Sequence, residues 1–403
     1  MKSFATRTAL TSNTGVEDLI PDFDAKLISF AGGLPDPKLF PKKELALSSQ
    51  RVLLDGTENP LQYHNAKGYY PLRKLIATAL AQEGAAEDPH HILLTQGAQQ
   101  GLDLVAKLFL NPHDRIAVEA PTYVGALAAF AAYEPTYLEL PMSPDGLDLD
   151  LLERALKQTT IKFLYTVPNF QNPTGFVMSL TKRQRLVQLA QNYDFYILED
   201  DPYKHLRYSG ADLPSLRSLD HSGHVISLGS FSKILAPGLR LGWLVADDPI
   251  YTQIRLLKDG ADLESPALIQ QIVADYLVNN DFSAHLQQVQ ADYQQRRDWM
   301  LNALEANLPA GWQTSQPNGG FFLWVTGPEN VDLNQLLRTE IGPQDHILYV
   351  PSTNLYASKN VNNGARLSYA GASHAQIDAG IKVLCDAFRV QKPQCETQSV
   401  ATN

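Results

Sequence analysis

Cysteine is nearly absent: the 403 residues hold two, Cys385 and Cys395, both near the C-terminal end. Two thiols make neither a disulfide framework nor a zinc-type ligand set. They suit a reducing compartment, so a cytoplasmic location is expected. Basic residues are the scarcer charge. Lys and Arg number 33 against 43 Asp and Glu, for a formal net charge of -10. With no dense Lys/Arg run, that balance disfavours nucleic acid as a partner. Long apolar runs are lacking as well. No stretch approaches the roughly 18 residues of a membrane span, and the opening MKSFATRTALTSNTGVEDLI has no signal-peptide core. No membrane partner is expected. Internal repeats, low-complexity tracts and metal-ligand spacings are absent too.

What is present is a globular composition, 44% hydrophobic and 19% charged, with 25 Gly and 25 Pro. A chain this long exceeds one ordinary core and implies a large domain plus a smaller one. Short apolar runs at 91–95, 115–120, 162–167, 195–200, 224–229 and 239–246 read as strands, with helices at 98–110 and 181–193 between them. That alternation predicts an α/β fold around a mainly parallel sheet covered on both faces. Beyond about residue 250 the pattern changes to a long helical region, 262–307, then strands at 319–325, 347–352 and 365–370, a helix near 332–340 and a closing helix, 373–389. This reads as a separate α+β domain. The division expected is 1–45 as an N-terminal segment belonging with the small domain as a substrate lid, 46–290 as the large domain, 291–390 as the small one, and 391–403 as a frayed tail.

Chemistry-bearing residues collect at the ends of the predicted strands, where such sheets bind ligands. The turn Gly97–Ala98–Gln99 opens a helix whose free N–H groups suit phosphate, although many such turns carry Gly for sterics alone. In PNFQNPTG, 168–175, the prolines impose a rigid loop that could aim the Asn172 amide into a cleft, or could simply turn the chain. ILEDDPYKHL, 197–206, puts three carboxylates and Tyr203 at a strand end. Asp200 needs a cationic partner there: a protonated ring nitrogen would serve, and a metal or a helix cap are the alternatives. In HVISLGSFSKILAPGLRLGW, 224–243, Lys233 follows a small hydroxyl-rich turn with little other charge. Desolvation would lower its pKa and suit it to Schiff-base chemistry. Ser230, Ser232 and Arg240 could share one phosphate. Arg366, on an apolar strand, requires an anion, either a substrate carboxylate or an internal ion pair.

These strings together resemble the fold-type I, pyridoxal 5′-phosphate (PLP)-dependent aminotransferases of class I/II, in the subset that includes 2-aminoadipate and kynurenine aminotransferases. The resemblance rests on SFAGGLPDPKLFP (29–41), LQY…G…PLR (61–73), QGAQQGL, APTY, PNFQNPTG, EDDPY and SFSKILAPGLRLGW, in order from residue 29 to residue 370. It implies a large domain with a mainly parallel seven-stranded sheet, a small α+β domain and PLP as cofactor. It implies that Lys233 carries PLP and shuttles the proton, that Asp200 keeps the ring nitrogen protonated, and that Asn172 and Tyr203 bond the ring oxygen. Tyr123 would stack on the ring. The N–H groups of Ala98 and Gln99, with Ser230, Ser232 and Arg240, would hold the phosphate. Many relatives have Ser where this chain has Ala98, so one hydroxyl donor is absent. Tyr63 would reach the phosphate of a neighbouring subunit, which implies a homodimer. Arg366 would grip the substrate α-carboxylate, with the Gly33 backbone closing over it.

The reaction so implied is a ping-pong transfer of the amino group of an L-amino acid (aromatic, branched-chain or aminoadipate-like) to a 2-oxo acid, by family habit 2-oxoglutarate. Some aminoadipate-type relatives read a distal carboxylate with an arginine before GGLP. Here 14–23 holds no arginine, and Arg7 is the only one upstream. That tilts the expectation towards an apolar or aromatic donor. A PLP-dependent lyase or synthase on the same scaffold is the alternative. More remote are a catalytically silent PLP-binding protein and a PLP-fold transcription regulator, whose DNA-binding domain the 28 residues before SFAGGLP would not hold.

Overall fold

The computed structural model describes residues 4–10, 27–56 and 58–390. The strands, in chain order, are β1 (Ile28–Ser29), β2 (Ile92–Thr95), β3 (Arg115–Ala120), β4 (Thr136–Ser143), β5 (Gly146–Leu147), β6 (Phe163–Thr166), β7 (Tyr196–Asp200), β8 (Val225–Ser230), β9 (Gly242–Val245), β10 (Gln313–Thr314), β11 (Phe322–Thr326), β12 (Ile347–Leu348), β13 (Val350–Pro351) and β14 (Gly364–Ser368). The large sheet runs β2-β9-β8-β7-β6-β3-β4-β5. Its pairs β8-β7, β7-β6, β6-β3 and β3-β4 are parallel, whereas β9 is antiparallel to both neighbours. The expected seven strands are joined by an eighth, the two-residue β5, which folds back on β4 as a hairpin.

The central strands are continuous apolar runs because both faces are buried. Side chains alternate between faces along a strand. Ile116, Val118, Phe163, Tyr165, Leu198, Ile226 and Leu228 therefore enter one apolar cluster, and Ala117, Leu164, Ile197 and Val225 enter the other. Helices cover both. Parallel pairing puts the carboxyl ends of β3, β6, β7 and β8 on one edge, so the loops after them meet there.

The second sheet, β10-β11-β14-β13, is antiparallel throughout. The N-terminal segment joins it: β1 pairs with β12, and the Phe30 carbonyl accepts from the Ser368 N–H at 2.7 Å. Two sequence expectations change. The long helical region begins at residue 250 and is three helices, Ile250–Asp262, Ala267–Asn279 and Phe282–Asn307. The first break follows Leu263, at φ 59°, before Ser265–Pro266. At the second, the Asp281 side chain caps the next helix by accepting from the Ala284 N–H. The run 347–352 is likewise not one strand but two short ones, of which β12 serves β1 and β13 serves β14. The tail 391–403 and the stretch 14–23 lie outside the described residues. Among the described residues, no helix is long and apolar enough to cross a membrane.

Candidate active site

At the carboxyl edge of the large sheet lies a cavity of about 610 Å³. Twelve of the residues singled out from sequence line it: Gly33, Ala98, Gln99, Tyr123, Asn172, Asp200, Tyr203, Ser230, Ser232, Lys233, Arg240 and Arg366. They come from seven separate stretches of chain. Tyr63 is not among them, and its side chain is 78% exposed.

One end of the cavity is a cradle of donors. The helix Ala98–Phe109 starts there with no side-chain cap and no acidic residue in its first turn. Its first N–H groups are free to bind an anion, and the helix dipole favours one. Gly97 enters the helix at φ 75°, and a Cβ there would lie 2.8 Å from the Arg240 guanidinium. Gly242 faces the same turn, where a Cβ would come within 3.0 Å of the Ala98 nitrogen. Both positions therefore require glycine. The Ser230 hydroxyl donates to Ser232 Oγ at 3.0 Å. Arg240 reaches the carbonyls of Pro237 and Gln96 at 3.3 and 3.4 Å. Behind the turn, Asp262 accepts from the Gln96 and Gln100 amides at 3.1 and 2.6 Å, its charge balanced by buried Lys258 at 2.8 Å.

The middle of the cavity belongs to Asp200, at the end of β7. Tyr165 donates to Asp200 Oδ2 at 3.0 Å, while Oδ1 is buried with no hydrogen-bond partner. Burial pushes the Asp200 carboxyl up to about 7, against the pull of Tyr165. A buried carboxylate oxygen without a donor is costly, and a cationic N–H is the partner that suits it. The neighbouring acids have other tasks. Glu199 accepts the N–H groups of Leu216 and Arg217, and Asp201 accepts from the Asn169 amide. Among the described residues no three acidic, His or Cys side chains are grouped to hold a metal ion.

The other end collects positive charge. Arg366 on β14 is 2% exposed and, among the described residues, forms no ion pair. It donates to Asn172 Oδ1 at 2.9 Å and to the Ala31 carbonyl, its Nε is unpartnered, and it lies 4.3 Å from the Phe322 ring centroid. Burial lowers its pKa to about 10. The internal ion pair considered from sequence is thus not formed. Lys233 Nζ donates to the Gly33 carbonyl at 2.8 Å. Burial, followed by the nearby Arg366 and Arg240 charges, pulls the amine down to about 8. Tyr203 is buried edge-on to Phe321 and Phe322, and burial pushes its phenol up. A Cβ on Gly125 would strike the Tyr123 ring at 2.3 Å, so the ring packs against a bare backbone.

Residues 34–384 match the family described as Aminotransferase class I and II. The chain belongs to that family. Aromatic-amino-acid aminotransferase 1 of Thermococcus litoralis is 38% identical over 90% of this aminotransferase and 88% of the relative. The 2-aminoadipate transaminase of Thermus thermophilus is 39% identical over 90% of each. The crystal structure of the α-aminoadipate aminotransferase of Thermus thermophilus, complexed with N-(5′-phosphopyridoxyl)-L-leucine, matches with a TM-score of 0.89. It is 36% identical and covers 96% of this chain and 97% of that one. The protein is a PLP-dependent aminotransferase of fold type I.

The cavity fits that cofactor on its own geometry. PLP carries a phosphate, a ring nitrogen that can be protonated, a ring hydroxyl and an aldehyde. The uncapped helix start, the orphaned Asp200 oxygen and the low-pKa Lys233 amine supply a partner for the phosphate, the nitrogen and the aldehyde. Three contributors do not stand out in the sequence: Tyr165, Phe322 and Gly242. Tyr165 and Phe322 lie on buried strands and read as core. Gly242 acts through the side chain it lacks, although it stands inside the string SFSKILAPGLRLGW, and Gly97 reads only as the turn that opens a helix. Arg7, unplaced from sequence, stands in the short turn Thr6–Ala9 and does not line the cavity.

The lowered lysine has a measurable signature. Folding moves Lys233 from 10.5 to about 8, so between those values the unfolded chain binds more protons and stability rises with pH. Below about 8 both states hold the proton and the burial cost stands in full. In cofactor-free protein, Lys233→Met should therefore resist urea better than wild type at pH 7. The gap should close as pH rises from about 8 towards 10.5. A gap independent of pH would show that the amine is solvated.

Proposed function

We propose that this aminotransferase takes its amino group from an L-amino acid with an apolar or aromatic side chain and passes it to a 2-oxo acid, 2-oxoglutarate being the family's usual acceptor. The observation that carries this reading is Arg366: a buried guanidinium that, among the described residues, has no anion of its own, in the same cavity as Lys233. A bidentate clamp on the α-carboxylate would satisfy it. The side-chain preference rests on the rest of the lining. Beyond Arg366, its cationic side chains are Lys233 and Arg240, and Leu34, Leu102, Ala128 and Phe322 supply apolar surface. A donor with a second carboxylate has no further cation among these residues.

PLP, when bound, supplies an electron sink for the pair left on the substrate Cα as its proton departs. Ala98, Gln99, Ser230, Ser232 and Arg240 would hold its phosphate, Asp200 its ring nitrogen, Asn172 and Tyr203 its ring oxygen, and Tyr123 its face. Lys233 would carry the cofactor, and its amine would hold the Cα proton. An amine with a pKa near 8 is a suitable base for that at neutral pH. Asn172 fixes Arg366 at 2.9 Å, which sets the angle at which the carboxylate arrives. Gly33 closes from the N-terminal segment. In this reading 46–290 is a cofactor-binding domain, and 291–390 with 1–45 is a small domain that brings Arg366 and Gly33 to it. The free thiol of Cys385 suits the cytosol.

The donor preference is tested by kcat/KM for phenylalanine, leucine, kynurenine and 2-aminoadipate against 2-oxoglutarate, pyruvate and phenylpyruvate. Apolar and aromatic donors should exceed 2-aminoadipate by at least about tenfold, the equivalent of 1.4 kcal/mol. A preference for 2-aminoadipate would overturn it.

We also infer a homodimer in which Tyr63 serves the neighbouring cofactor site. The segment holding Leu61, 75% exposed, and Tyr63 stands away from this chain's own cavity. Leu47, Leu53 and Leu54 on the helix Lys42–Asp55 are exposed as well, an apolar surface suited to a second copy. Sedimentation should give twice the 44.6 kDa of the chain, and Tyr63→Phe should weaken PLP binding. A monomer that binds PLP normally would remove the role of Tyr63.

A further inference from the structure

Glu119, near the end of β3, is 1% exposed, and among the described residues it forms no ion pair. It does not line the cavity. Three donors meet its carboxylate: Thr166 Oγ1 at 2.5 Å, the Val167 N–H at 3.1 Å and Gln171 Nε2 at 2.9 Å. Burial, together with the Asp200 charge, pushes its carboxyl up to about 7. A neutral amide or an apolar side chain would be cheaper to bury here.

The hydrogen bonds show what the carboxylate does. Gln171 is fully buried, and every polar position of its amide is used. Nε2 donates to Glu119 and, at 2.9 Å, to the Pro121 carbonyl, while Oε1 accepts from Thr174 N at 2.9 Å and from Thr174 Oγ1 at 2.6 Å. With the amide this way round, the second Nε2 hydrogen needs an acceptor at position 119, and the Glu119 carboxylate supplies it. Reversing it would set Oε1 against the Pro121 carbonyl and Nε2 against the Thr174 N–H. Gln171 precedes Asn172, whose Oδ1 receives Arg366. Pro121 lies two residues before Tyr123. The amide therefore joins the two loops that leave β3 and β6 for the cavity.

We propose that Glu119 is a positioning residue for the substrate carboxylate: through Gln171 it locks the loop that aims Asn172 at Arg366, and the turn that carries Tyr123. The proposal rests on Arg366 being the carboxylate site, and the test separates the two. The probes are 3-phenylpropanoate and its neutral amide, titrated calorimetrically into PLP-loaded enzyme. Wild type should prefer the acid; equal affinity for both would sink the Arg366 reading itself. Glu119→Gln keeps the volume and the acceptor for Val167 but turns an NH2 towards the Gln171 NH2. It should weaken the acid about five- to tenfold and leave the amide unchanged. Gln171→Met should do the same, and the double variant should be no weaker than the worse single, because both remove one link. KM for the donor should rise in parallel, with kcat changing less. Wild-type affinity for the acid in Glu119→Gln, or single effects that multiply in the double, would overturn the proposal. Should Glu119→Gln fail to fold, Thr166→Val, which removes one of the three donors, should weaken the acid about twofold, and unchanged affinity there would count against the proposal equally.

Discussion

A carboxylate buried at the end of a central strand, with one oxygen satisfied and the other not, is the constraint around which this active site is arranged. Asp200 could not sit there in an apolar interior without compensation. Tyr165, from the adjacent strand, supplies one donor. The other oxygen has no donor among the described residues, and the rest of the cavity lining named above comes from six further stretches of chain. Parallel pairing is what makes this possible, since it carries the ends of neighbouring strands to one edge of the sheet.

The same cavity holds an arginine with no carboxylate partner among the described residues. Asp200 and Arg366 are each incomplete, in opposite senses, and a ligand must complete both. In the reading proposed above, a cofactor with a cationic ring and a substrate with an α-carboxylate would do so together. Lys233 sits between them, its proton affinity reduced by burial and by the two arginines and partly restored by Asp200. One desolvated pocket thereby sets the proton affinities of a carboxyl, an amine and a guanidinium together.

Much of this could be read from the sequence because strand-end residues stand in short polar strings between apolar runs. Lys233 in SFSK, Asp200 in EDDPY and Asn172 in PNFQNPTG are marked by that contrast, and their shared order supplies the family. Less legible were features expressed through packing. Tyr165 alternates within a buried strand and looks like any core tyrosine. Gly242 matters for the close approach its missing side chain allows. Glu119 did leave a signal, a lone acid inside the apolar run RIAVEA, but only the fold shows that its partners come from the end of β6 and the loop after it. The strand β4, with mixed burial and Pro141, gives no continuous apolar run, and the breaks at Leu263 and Asn280 are marked only by Ser265–Pro266 and Asn279–Asp281 within a stretch otherwise rich in helix formers.

The most direct test of the account is a single half-reaction. PLP-loaded enzyme is mixed with one amino acid in the absence of any 2-oxo acid, and cofactor form, 2-oxo acid and ammonia are measured together. The account predicts one equivalent of 2-oxo acid per site, conversion of the cofactor to pyridoxamine phosphate and no ammonia. Continuous release of ammonia with the cofactor unchanged would contradict it.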